Sequence, residues 1–148
     1  MRVLLAVTAL LVALSSCKAQ KEPAAGACEQ LVELGIARNC VEKKDGLLGP
    51  RREDNVFKTA WEFEYTHGTT VNDSKLGKIV PMGTVYYCND EGQLRGLLEY
   101  QKGTATMGVG PAHYTVNNKS RIAVFLPQTV PDSVAANDIE SIKKHLAP

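Results

Sequence analysis

Residues 57–65 read Phe-Lys-Thr-Ala-Trp-Glu-Phe-Glu-Tyr. In an extended chain Phe57, Thr59, Trp61, Phe63 and Tyr65 take one face, and Lys58, Ala60, Glu62 and Glu64 the other. Period two over nine residues predicts an antiparallel strand with one face buried. The odd-numbered face holds four of the chain's nine aromatic residues (one Trp, five Tyr, three Phe). Each aromatic side chain buries roughly 150–250 Å², so this strand should supply the apolar layer of a small sheet. Two uses of that face are open. As core, Trp61 packs beneath a C-terminal helix through Ile139, Ile142 or Leu146. Left open, Trp61, Phe63 and Tyr65 form a partner-binding patch, because aromatic residues are enriched at interface hot spots. The chain has few other large apolar residues for an interior, which favours the core.

Downstream, Thr66–Lys78 reads as a long polar loop. Ile79–Cys88 reads as a second strand, with Pro81 and Gly83 marking an edge or bulge. Asn89-Asp90-Glu91-Gly92 reads as a type I turn, and Leu94–Gln101 as a returning third strand. Gly103–Gly110 is a permissive loop. Ala112–Val116 and Ile122–Leu126 pair across Asn117–Ser120. Asn137 followed by Glu140 is a capping-box pattern. It opens a final helix with Ile139, Ile142 and Leu146 on one face. Upstream, residues 42–55 are loop, and Glu29–Leu34 form a short helix. The expected fold is α+β: a small antiparallel sheet of about five strands, with a short N-terminal helix and a C-terminal helix packed on it.

The chain opens with Met1-Arg2, and Val3–Leu14 has Thr8 as its only polar member. One positive charge before such a run is the pattern of a secretory signal. As a helix it spans roughly 18 Å, against a hydrocarbon core of about 30 Å, too short for a standalone span. Leu14-Ser15-Ser16-Cys17 follows. A branched apolar residue, two small residues and a cysteine: this resembles the lipobox of bacterial lipoprotein precursors, over residues 1–17 alone. The resemblance implies a diacylglycerol, with palmitate-like chains, on the Cys17 sulfur. It implies cleavage before Cys17, which becomes the mature N-terminus. Lys18 where aspartate would retain an enterobacterial lipoprotein favours the outer membrane, facing the periplasm. The expected organisation is a signal peptide at 1–16, a lipidated cysteine and tether at 17–27, and one globular domain at 28–148. Lys18–Ala27 has no large apolar residue and carries Pro23 and Gly26, the composition of a linker.

Export implies an oxidising compartment, so Cys28, Cys40 and Cys88 allow one disulfide. Gly35 stands where a helix would stop, with Leu31 and Ile36 placed as the apolar pair of a Schellman ending. A chain turning back there can bring Cys40 to Cys28. An unbroken helix would hold them about 18 Å apart, beyond reach. Cys28–Cys40 is the expected pair. Cys88 is then a single thiol in Val85-Tyr86-Tyr87-Cys88, with no basic residue within nine positions before it or six after. That favours a buried strand residue over a nucleophile.

The mature part has 16 basic and 16 acidic residues, with no clustered basic footprint for nucleic acid. No polybasic segment holds anionic lipid, so the acyl chains must supply the membrane affinity. His67, His113 and His145 lack ligand spacing with a cysteine or carboxylate, so no metal site and no cofactor are expected. There is no phosphate loop and no Gly-x-Ser-x-Gly elbow. Glu62 and Glu64 share a strand face about 7 Å apart, best read as a solvated outer face. No catalytic residues are assigned. The favoured function is a lipid-anchored, non-catalytic binding or interaction domain of the cell envelope. It reaches the membrane through Cys17 and an unknown envelope protein or glycan through its surface. The alternatives are a small hydrolase or thiol enzyme using Cys88 with His67 or His113, and an inhibitor of an envelope-attacking enzyme.

Overall fold

The chain enters its fold at Glu22, whose carboxylate accepts from the Ala24 and Ala25 amides at 3.0 and 2.8 Å and caps helix α1 (Pro23–Glu33). The structure, a computed structural model, describes residues 21–44, 49–107 and 113–146. The signal peptide, the lipobox and Cys17 lie outside the described residues. Proline suits the first helical position, where its missing N–H costs nothing, and alanine is the strongest helix former. Ala24, Ala27, Cys28 and Leu31 are buried as one stripe. The expected tether at 17–27 is thus corrected from Glu22 onward. The small residues that look like linker instead let α1 lie close to its neighbours.

The helix stops as its sequence foretells. The Ile36 amide donates to the Leu31 carbonyl at 3.0 Å and the Gly35 amide to the Val32 carbonyl at 2.9 Å, with Gly35 at φ 72°. This is the Schellman pattern. It turns the chain into β1 (Ala37–Glu42), and Cys40 bonds to Cys28. Closing a loop of that size stabilises by about 3 kcal/mol in the chain-entropy model.

Next come a 3-10 turn at Arg52–Asp54, β2 (Thr59–Tyr65), a separate hairpin of β3 (Val71–Asp73) and β4 (Gly77–Ile79), and β5 (Met82–Tyr87). Helix α2 (Glu91–Thr106), β6 (His113–Asn117), β7 (Ile122–Leu126) and helix α3 (Asp132–His145) complete the described order. The five-stranded sheet runs β1-β2-β5-β7-β6, antiparallel throughout. The α+β class, the antiparallel sheet of five and the helices near the N-terminus and at the C-terminus are all present.

Individual elements differ from expectation. Leu94–Gln101 is not a strand: it lies inside α2, with Leu94, Leu97 and Gln101 buried at helical spacing. The fifth strand is instead β1. Asn89–Gly92 is no hairpin turn; Asp90 caps α2, its Oδ1 accepting from the Gln93 amide at 2.8 Å. Gly103–Thr106 also belong to α2. The expected strand 79–88 is divided, because Pro81 separates β4 from β5. Asn137 does not open the last helix: α3 starts at Asp132 behind Pro131, whose carbonyl accepts from Val134 and Ala135.

The sheet is covered on both faces. On one, α1 and α3 enclose Phe63, Tyr65, Val85, Val124 and Ile142. On the other, α2 encloses Ala60, Tyr86, Cys88, Ala123 and Phe125. Phe57 joins this second cluster, edge-on to Tyr86 at 5.2 Å, not the face of Phe63. It precedes β2, so the alternation does not reach it. Trp61 packs against the first cluster but is only partly buried; Phe63 and Tyr65 are the fully buried aromatics of that face. Indole is too large to be fully buried often.

The register gives the sheet two ends. At one, Thr59 pairs with Tyr87, Tyr87 with Ile122, and Ile122 with Asn117. Helix α1 starts there, since Glu22 also accepts from the Thr59 hydroxyl. Helix α3 finishes there, where the Asn117 amide donates to the Leu146 carbonyl. At the far end Glu64 pairs with Met82 and His113 with Leu126. That end carries the β3–β4 hairpin, the last turns of α2 and the start of α3.

Candidate functional site

Helix α2 leaves a groove of 580 Å³ on its side of the sheet, at the far end. Thr84, Tyr86 and Phe125 line it from the sheet, and Tyr100, Gln101 and Met107 from the C-terminal half of α2. The volume is in the range of sites that enclose a small ligand or a few residues of chain.

Its lining is divided. Lys43 Nζ donates to Glu62 Oε1 at 2.6 Å, and the Lys43 side chain is only 10% exposed. A Cβ on Gly49 would stand 3.8 Å from the Tyr86 hydroxyl and 3.9 Å from Lys43 Nζ, so phenol and ammonium converge beneath Gly49. Burial pushes the Tyr86 hydroxyl well above its usual range, and the nearby charge of Glu62 adds to this, while Thr84 opposes it. The phenol is a neutral donor at ordinary pH. The rest of the lining mixes apolar Ile79, Val80, Pro81, Met82, Leu126 and Met107 with uncharged polar Thr104, Gln128 and Thr129. Ile79, Met82 and Met107 are exposed, Met107 by 71%.

Residues singled out from sequence take other places. Glu62 and Glu64 do not act as a carboxylate couple, because each has its own cation, Lys43 and Arg38. With Phe63 and Tyr65 buried, the patch once open to Trp61, Phe63 and Tyr65 is closed at two of its three members. The Tyr65 hydroxyl donates to Asp138 Oδ2, and His67 Nδ1 lies 2.8 Å from the same oxygen. These contacts pin α3 to the end of β2. His113 Nε2 sits 3.1 Å from the Val130 carbonyl. Neither histidine is bonded to Cys88, which faces the opposite side of the sheet from Asp138. Among the described residues no three His, Cys, Asp or Glu side chains gather as a ligand set, and no helix is long and apolar enough to cross a membrane.

Cys88 is buried and unpaired, its thiol turned toward the Val56 carbonyl at 3.6 Å. Burial pushes its pKa up to about 11, the Asp90 charge adds to this, and Arg121 opposes it. A thiol held neutral by the fold stabilises it fully below its unfolded pKa of about 8.5. That stability is lost as pH rises toward 11. The urea midpoint is therefore expected to fall between pH 9 and 11, and Cys88→Ala to lessen the fall. An equal slope in parent and variant would refute the assignment.

Of the charged groove residues the sequence points only to Glu62, and there to a solvated outer face, whereas the structure pairs it with Lys43. Lys43 and Glu62 are 19 positions apart, and only the β1–β2 pairing brings them together. The one available signal was Glu62 on a strand beside a lysine-rich loop. Comparison with protein-family models, with curated proteins and with solved structures gave no match.

Proposed function

We propose that this protein is a lipid-anchored, non-catalytic binding module of a bacterial cell envelope, holding a protein partner at the groove beside α2. The observation that carries the reading is the gathering of apolar side chains at one end. Val71, Ile79, Met82 and Met107 are exposed there, around the groove beside α2. Exposed apolar side chains around a concavity are the usual mark of an interaction surface. A protein suits this mouth better than a glycan. Glycan sites present open aromatic planes, and among the described residues Tyr114 is the only aromatic ring classed as exposed. The anchor at Cys17 rests on the lipobox resemblance. It is supported by the entry of the chain at the opposite end, where Glu22 meets Thr59.

A photo-crosslinking side chain at Met107 tests the site in intact cells. It should give a discrete protein adduct, and one at Lys119, at the other end, should not. Equal labelling from both positions would defeat the reading. For the anchor, Cys17→Ser should leave the chain without acyl groups by mass spectrometry. A second reading has its own observation: Leu76, 77% exposed at the tip of the β3–β4 hairpin, has the form of a residue that enters an enzyme's cleft, as an envelope inhibitor would. Leu76→Asp should abolish partner capture under that reading and leave the Met107 adduct intact under the first. The thiol-enzyme alternative gains nothing from Cys88, which is buried with a raised pKa.

A further inference from the structure

We infer that the occupant of the groove is an uncharged, apolar peptide segment, bound through its backbone at the Lys43–Glu62 pair and through its side chains at Met82 and Met107. The inference rests on the binding reading above and concerns what that site takes.

The charged part of the groove is balanced. One ammonium and one carboxylate are paired at 2.6 Å, with the neutral Tyr86 phenol beside them. Lys43 keeps two N–H donors beyond the one given to Glu62, and Glu62 keeps a second oxygen. The pair therefore offers donors and an acceptor side by side. A peptide unit offers the complement, a C=O and an N–H. A single anionic head would meet the Glu62 carboxylate within a few ångströms, and a cationic head would meet Lys43. Both lie in a partly dehydrated groove, where like charges repel more strongly than in water. This charge balance argues against fatty acids, phosphates and amines.

The apolar part sets the rest. Met82 and Met107 both line the groove and are exposed. Methionine is unbranched and polarisable, and adapts to side chains of varied shape. The groove is bordered by sheet and helix at their far end. Its 580 Å³ suits a few residues, not a folded element.

The test uses the mature protein reconstituted in phospholipid vesicles, with protein-free vesicles as blank. The probe is a fluorescein-labelled hexapeptide of leucine and glutamine, blocked at both ends, read by anisotropy. The same peptide with a central glutamate or lysine is compared, and dodecanoate is the competitor. The uncharged peptide should bind saturably, at least tenfold better than either charged form. Glu62→Gln should admit the acidic peptide, and Lys43→Met the basic one. Lys43→Arg should keep the parent's preference, and unchanged melting curves exclude misfolding as the cause. Three results would overturn the inference: no saturable peptide binding, displacement by dodecanoate at peptide-like concentration, or a charge preference that neither variant alters. If the Met107 adduct forms in cells while the peptides fail here, the site stands and its peptide assignment falls. If both fail, both fall.

Discussion

Phe63→Ala should cost about 3–5 kcal/mol, the usual range for emptying a buried phenylalanine site. Phe63 is fully buried at the centre of the α1/α3 side. Its strand lies between β1 and β5, and a helix closes over it, so the walls have little freedom to collapse. A domain of this size is stable by only about 5–15 kcal/mol, so the variant should lose a large part of its urea resistance. Trp61→Ala should cost clearly less, because Trp61 only borders the same cluster. Urea titrations of the two variants decide it. Should Trp61→Ala prove the more damaging, the centre of this core has been misplaced.

Gly83→Ala should cost about 3 kcal/mol, the upper part of the range for overpacking. Gly83 pairs across the ladder with Phe63. A Cβ there would stand 2.2 Å from Phe63 Cζ, 2.6 Å from Cε2 and 2.9 Å from the Phe125 carbonyl oxygen. The ring is clamped by the core and the carbonyl is backbone, so neither can yield cheaply. The ring of Phe63 occupies the room that glycine leaves. The two sites should therefore be coupled: Phe63→Leu with Gly83→Ala should cost less than the sum of the single variants, because leucine vacates the contested space. Strict additivity, or a Gly83→Ala variant within about 0.5 kcal/mol of the parent, would contradict the packing.

What could be read in advance follows how local the deciding interactions are. The stop at Gly35 and the Cys28–Cys40 pair were legible because the Schellman bonds and the disulfide lie within 13 residues. β6 and β7 were legible because a short turn joins two apolar runs. α2 was misread although its signals were present. Asp90 with Gln93 is a capping pattern, and Leu94, Leu97 and Gln101 follow at helical spacing. Gly92, Gly96 and Gly103 weigh against a helix by propensity. Gly96 has a tertiary reason: a Cβ there would come within 3.2 Å of Val56, so α2 needs a small residue where the loop crosses it. The count of five strands emerged although one expected strand was a helix and β1 had been left out. The groove was illegible because its walls come from five elements, β2, β4, β5, α2 and β7, and from the loops beside them, which only the fold brings together.

Helix α1 begins at Pro23, and this sets the geometry of the acylated protein proposed above. Only residues 18–21 separate Cys17 from the capping residue Glu22. Fully extended, the five residue steps from Cys17 to Glu22 span at most about 18 Å. A folded domain of this length has a radius of gyration of about 14 Å and so measures roughly 35 Å across. The leash is shorter than the body it holds. Anchored through Cys17, the molecule would pivot about that end and would lower its groove to its own bilayer only by lying flat. Standing upright on such an anchor, the molecule would carry its mouth about one body length above the lipid, and its search for a partner would be lateral. A partner in the same membrane must rise that far to be met, and one fixed to the opposite layer needs to descend only into that stratum.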